Sequence, residues 1–171
     1  MSSIFSRAIA FNQDISSWDT SKVTNMSRIF YHATAFNKDI NIWDTSSVTN
    51  MNSLFSETKA FNQSLDSWDT SKVTDMDTMF SGATAFNQDI GVWDTSKVKD
   101  MSFMFKNTTA FNKNISSWNT EVVIDMREMF RGAVLFNQDL SQWNVISVTE
   151  EKAKSFNLYS PLPNNHLPRF G

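Results

Sequence analysis

Apolar and polar positions alternate along this chain in a pattern that returns every 25 residues. Trp18, Trp43, Trp68, Trp93, Trp118 and Trp143 mark the period without a slip, so one unit is copied six times with neither insertion nor deletion. The same apolar positions surround each Trp: Phe11 to Phe136, Ile15 to Leu140, Val23 to Val148, Met26 to Met126 and Phe5 to Phe130. Self-similarity at such a period marks a stacked repeat, in which each coil buries its apolar side only against its neighbours.

Inside one unit the spacing changes character. Val23, Met26, Ile29, Phe30 and Ala33 are three, three, one and three residues apart, which predicts a short α or 3-10 helix from about Lys22 to Phe30. Asp19, Thr20 and Ser21 stand just before it and are the residue types that cap helix N-termini. Asn12–Trp18 is the candidate for a short strand, with a bend or bulge if Ile15 and Trp18 both point inward. The expected fold is therefore a repeat solenoid, leucine-rich-repeat-like, with one short parallel β-strand and one short helix in each of about six coils. At ~4.8 Å per strand the stack is roughly 28 Å long. Residues 1–150 form the solenoid and 151–171 a C-terminal cap and irregular tail: Glu151 stands where Met is due, Phe156 arrives one residue late, and Pro161, Pro163 and Pro168 follow.

The strings FNQDISSWDTSKVTNMSRIF, FNKDINIWDTSSVTNMNSLF and FNQDIGVWDTSKVKDMSFMF resemble the 25-residue repeat of BspA-type leucine-rich-repeat surface proteins. That repeat also occurs in mycoplasma lipoproteins and in many bacterial and algal sequences, often as a domain of unknown function. The resemblance implies a cell-surface or secreted module, with adhesion as its usual role. It transfers no active site, because the shared positions are core and turn residues.

The polar columns carry structural readings first. Asn12 and its copies to Asn137 are expected to satisfy the backbone of neighbouring coils, and the indoles to stack in the core with each N–H on a carbonyl. Asp19, Asp44, Asp69 and Asp94, continued by Asn119 and Asn144, are expected to cap the helices; Asp75, Asp100, Asp125 and Glu150 are expected on a solvated face. No metal site is expected, because a single acidic column lacks the converging ligands that Ca²⁺ requires. Thr20, Thr45, Thr70, Thr95 and Thr120 form a rank, with Thr24, Thr49 and Thr74 a partial second. If both lay on one flat face they could match an ice lattice, so an ice-binding surface is an alternative reading.

Composition narrows the function classes. Fifteen Phe against two Tyr make the aromatic content core filling, and a net charge of −3 without basic runs lacks the footprint of nucleic-acid binding. Cysteine is absent, which excludes disulfides and thiolate chemistry, and no apolar stretch approaches a membrane span, so direct membrane insertion is not expected. His32 and His166 are the only histidines; no nucleophile motif, phosphate loop or metal spacing accompanies them, so no catalytic residue, no cofactor and no enzyme activity are expected. Met1 falls in register with Met26, so the chain starts mid-unit and reads as a fragment whose first coil is uncapped, open to self-association. A protein or glycan is the expected partner. The variable outward positions flanking the strand are the expected binding face: Gln13, Asp14, Ser16, Lys38, Asp39, Asn41, Gln88, Asp89, Lys113 and Asn114.

Overall fold

The computed structural model describes residues 1–170, in which the 25-residue units stack as successive coils. One segment of each coil carries most of the backbone bonding between them. The N–H groups of Met26, Arg28, Phe30 and His32 donate to the carbonyls of Asn50, Asn52, Leu54 and Ser56 on the next coil, at 2.8–3.0 Å. Met51, Ser53, Phe55 and Glu57 repeat this toward Asp75, Asp77, Met79 and Ser81. Isolated parallel bridges run through Asn25, Asn50, Asp75, Asp100 and Asp125.

The helix expected from about Lys22 to Phe30 does not form. Its N–H groups point along the stack to the next coil, so they are not free to bond within their own turn. The chain advances instead by tight turns: Ile29 N–H donates to the Met26 carbonyl and Ala33 N–H to that of Phe30. Arg28 and His32, third residue of each turn, have φ of 56° and 57°, the arrangement of type II turns. The same two columns are left-handed at Ser53 and Glu57, Thr78 and Gly82, Phe103 and Asn107, and Glu128 and Gly132. The strand expected over Asn12–Trp18 is also absent; Trp18 N–H closes a turn on the Ile15 carbonyl. Among the described residues, helix is confined to two 3-10 turns, Glu150–Ala153 and Asn164–His166.

The inward columns form one continuous core. Phe30, Phe36, Ile40, Met51, Phe55, Phe61 and their later copies are fully buried. Within a coil the two Phe rings stack face to face, 3.9 Å apart for Phe30 and Phe36 and 4.0 Å for Phe80 and Phe86. Between coils they stack again, 5.6 Å for Phe55 to Phe80 and 5.7 Å for Phe80 to Phe105. From Trp43 onward each indole is 3–5% exposed. Its Nε1 donates to the previous coil, as Trp43 does to the Ile15 carbonyl and Trp93 to that of Leu65. The core reading of the Trp column holds for these five; Trp18 is 39% exposed.

The last coil shows what ends the repeat. Met126 N–H donates to Lys152 and Phe130 N–H to Phe156, each 26 residues on, where the interior coils bond 24 residues on. Two residues have entered, not one. Phe156 thereby takes the backbone place of the Met129 column, and its ring meets Phe130 edge-on at 5.3 Å and 78°. The tail then folds over this coil: Leu140 N–H donates to the His166 carbonyl, Leu162 is buried, and Phe170 packs against Phe156.

Candidate functional site

The repeated polar residues are engaged by the stack. Asn12 Oδ1 accepts the N–H of Asn37, Asn37 that of Asn62, and the ladder continues to Asn137. The Asp19 column does not cap helices. Each carboxylate accepts from the residue two positions on, as Asp44 does from Ser46 N–H at 2.9 Å, which makes an Asx turn. Bonds from the Ser21 and Ser46 side chains and backbones hold Asp19 and Asp44 below the usual carboxylate range.

Two expectations about the remaining columns are corrected. The first threonine rank is not a surface: Thr20, Thr45, Thr70, Thr95 and Thr120 are 1–2% exposed. Their hydroxyls donate to carbonyls of the next coil, Thr70 to Asp94 at 3.0 Å. That rank cannot face ice. The Asp75 column is not fully solvated either. Asp125 is 4% exposed and is held by Lys152 Nζ at 2.7 Å and the Arg127 guanidinium at 2.8 Å. Burial pushes its carboxyl up, but these cations and hydrogen bonds outweigh it and bring it below the ordinary value. Asp75 has no cation partner among the described residues: burial, then the charges of Asp100 and Asp77, push it up against the bonds from Asp77 N–H and Asn50.

The expected binding residues lie along one side of the stack. Asp14, Ser16, Lys38 and Asp39 meet Ile42 around a shallow depression of about 320 Å³. Gln88, Asp89, Lys113 and Asn114 lie at matching positions on later coils. Several of these polar groups already have bonds within the chain. Asp14 and Asp39 close Asx turns, Asp89 accepts from Gly91 N–H, and Asn114 from Ser116 N–H. Gln88 Nε2 donates to Asn62, and Asn41 Nδ2 to Asp66 at 2.8 Å. Gln13, Lys38 and Lys113 have no hydrogen-bonding partner among the described residues.

A second surface escapes the sequence reading because it lies on and just past the segment expected to be helical. Ser3, Ser6, Arg7, Arg28, Tyr31, Ser53 and Thr78 line a groove of about 570 Å³ across the first coils. The left-handed residues Arg7 and Arg28 are both exposed there. On the later coils the same columns are filled: Lys106 and Arg131 pair with Glu128 at 2.8 and 3.0 Å, and Lys106 lies over the Phe103 ring. A third, open depression of about 920 Å³ lies between Ser141, Gln142 and the tail from Asn164 to Phe170. Among the described residues no group of three or more acidic or histidine side chains is placed to hold a metal ion.

No curated protein and no solved structure shows significant similarity to the chain. A family profile does, matching residues 1–91 and again 63–162, so that the two matches together take in every repeat. On that match the chain belongs to the DUF285 repeat family, described as Mycoplasma protein of unknown function.

Proposed function

We infer that the chain is a non-enzymatic solenoid module of the BspA leucine-rich-repeat type, displayed at a cell surface or secreted, that binds a protein or glycan. The observation that carries this reading is the division of labour between columns. Positions that recur in every copy are buried or bonded within the stack, whereas the outward positions beside the Trp column differ from coil to coil. Ser17, Ile42, Ser67, Val92, Ser117 and Gln142 occupy one such position. A surface that is uniform in backbone and varied in side chain suits selective recognition. Binding is expected at the depression where Asp14, Ser16, Lys38 and Asp39 surround the 73%-exposed Ile42. The test is a panel of immobilised glycans and proteins probed with the chain and with a variant carrying alanine at Gln13, Asp14, Ser16, Lys38, Asp39 and Asn41. Loss of a bound partner in the variant supports the reading, and unchanged binding moves the interface elsewhere.

A second reading, a structural self-assembling solenoid, is favoured by the 39% exposure of Trp18 and by the partly exposed Phe5 and Phe11 beside it. Light scattering over a hundredfold concentration range tests it. A mass that rises with concentration in the native chain and stays constant in Ile4→Asp supports end-to-end pairing.

A further inference from the structure

We propose that the groove of the first coils is a binding site for an acidic saccharide, one carrying uronate or sulfate groups. This rests on the reading of the chain as a binding module but not on which face was expected to bind. The first argument is charge. The chain has a net charge of −3, yet this groove is lined by Arg7 and Arg28, and no carboxylate among the described residues lies within ion-pair distance of either. Two acids lie near the groove, and each is bonded away from the arginines, Asp77 keeping its charge. Glu57 pairs with Lys59 at 3.6 Å, and Asp77 accepts from Asn52, Thr78 and Ser102. Further along the stack the cations that stand in the Ser6 and Tyr31 column, Lys106 and Arg131, are neutralised by Glu128, which itself stands in the Arg28 column. The contrast lies within one repeated surface, so it is set by these particular side chains and not by the coil.

The second argument is shape and chemistry. Guanidinium groups match the paired oxygens of carboxylate and sulfate with two parallel N–H donors. Beside them Tyr31 supplies an aromatic surface; its ring is fixed by an edge contact with His32 at 4.5 Å. Ser3 and Ser6 add hydroxyls that can exchange hydrogen bonds with sugar hydroxyls. A ring face, a hydroxyl rim and two anion forks together fit a charged pyranose better than an acidic peptide, which needs neither ring nor rim. The floor is open where Thr78 stands and closed one coil later, where Phe103 fills the same column. A short oligosaccharide therefore fits, not an unlimited polymer track.

Isothermal titration of the whole chain with a polyuronate tetrasaccharide, a sulfated tetrasaccharide, a neutral tetrasaccharide and a polyglutamate peptide tests the proposal. Binding of at least one acidic saccharide is expected, weakening as salt rises. Arg7→Gln and Arg28→Gln should each weaken it by about tenfold or more, since each removes a charge-assisted hydrogen bond. Tyr31→Ser should weaken it too, whereas Lys113→Gln on the other face should not. Among the described residues neither arginine side chain has a bonding partner, so unchanged circular dichroism and melting are expected of these variants. Failure of both acidic saccharides to bind, equal affinity in the arginine variants, or equal affinity for polyglutamate or the neutral sugar overturns the site. A partner lost only on changing Gln13, Asp14 and Lys38 would leave the general binding reading standing while this one falls.

Discussion

Replacing Phe80 by Leu tests whether stability resides in the contacts between coils. Phe80 is fully buried and its ring is stacked on Phe55 at 5.6 Å, Phe105 at 5.7 Å and Phe86 at 4.0 Å, with Trp93 at 6.1 Å. Aromatic pairs contribute about 0.5–1.5 kcal/mol each beyond the area they bury, with the near-parallel geometry here at the low end. Their loss amounts to about 2 kcal/mol in all. The smaller volume of Leu adds about 1 kcal/mol of lost transfer energy and residual cavity. An overall cost of about 3 kcal/mol is expected for Phe80→Leu. Phe5 occupies the same column but is only partly buried, with Phe30 at 5.8 Å on one side, Phe11 at 3.8 Å within its coil and Trp18 tilted at 5.6 Å, three aromatic partners against four. Leu there is expected to cost about half as much. Urea unfolding followed by tryptophan fluorescence and by circular dichroism measures both, with an unchanged slope as the condition for comparison. Equal losses for Phe5→Leu and Phe80→Leu would refute a stack held by nearest-neighbour interfaces.

Four further outcomes follow from the polar columns and the left-handed turns. Asp75 has its pKa raised in the folded chain, so its favourable contribution is complete below the unfolded value and is lost as pH rises through the folded one. Asp75→Asn is therefore expected to stabilise at pH 7 and to be neutral near pH 3, as read from urea midpoints. Asp125 has its pKa depressed, so its contribution is present above the unfolded value and lost as pH falls through the folded one. Asp125→Asn should cost about 2 kcal/mol at pH 7, below the usual range for a broken buried pair because Arg127 and Lys152 are partly solvated. Thr70→Val, which deletes the bond to the Asp94 carbonyl with little change of shape, should cost about 1 kcal/mol in the same assay. Gly82→Ala sets a Cβ at φ 70° and in collision with Glu57 Oε1. A loss of about 1 kcal/mol is expected, and only the part due to the clash should disappear in a Glu57→Ala background.

The period, the inward columns and the atypical last coil were legible because burial is a property of the repeat: Phe30, Trp43 and Met51 recur wherever the stack must be filled. The local backbone was not. Spacings of three, three, one and three fit a helix turn, but they also fit consecutive type II turns whose first and last residues face inward, as Met26, Ile29, Phe30 and Ala33 do. Periodicity cannot separate the two, because it records which residues are buried and not where the N–H groups point. One signal was available. Gly82, Asn107 and Gly132 share a column with His32 and Glu57, and Gly or Asn returning at one position favours a left-handed residue. The groove over Arg7 and Arg28 was hidden by the same error: Ser3, Arg28, Ser53 and Thr78 form one column whatever the local backbone, but which neighbouring columns line a groove beside it depends on the turns. The burial of Asp125 was hidden as well, because its partner Lys152 comes from the segment where two residues enter the repeat.

Ring spacings differ between the columns of the stack in a way that bears on both candidate surfaces. If one rigid operation relates neighbouring coils, its translation moves every atom equally, and any difference between columns comes from rotation. Equivalent rings are 5.7 Å apart for Phe80 and Phe105, 6.0 Å for Phe86 and Phe111, and 6.4 Å for Trp93 and Trp118. The Trp column thus lies farther from the rotation axis than the Phe80 column, whose backbone carries the bonds between coils. From coil to coil the rings of the Phe80 column are therefore drawn closer together than those of the Trp column. The side of the closer Phe column is the one on which Arg7, Arg28 and Tyr31 line one groove, which suits a small ligand held by neighbouring coils. The wider side, with Ile42 and Val92 standing out between serines, suits a broad protein surface that touches alternate coils.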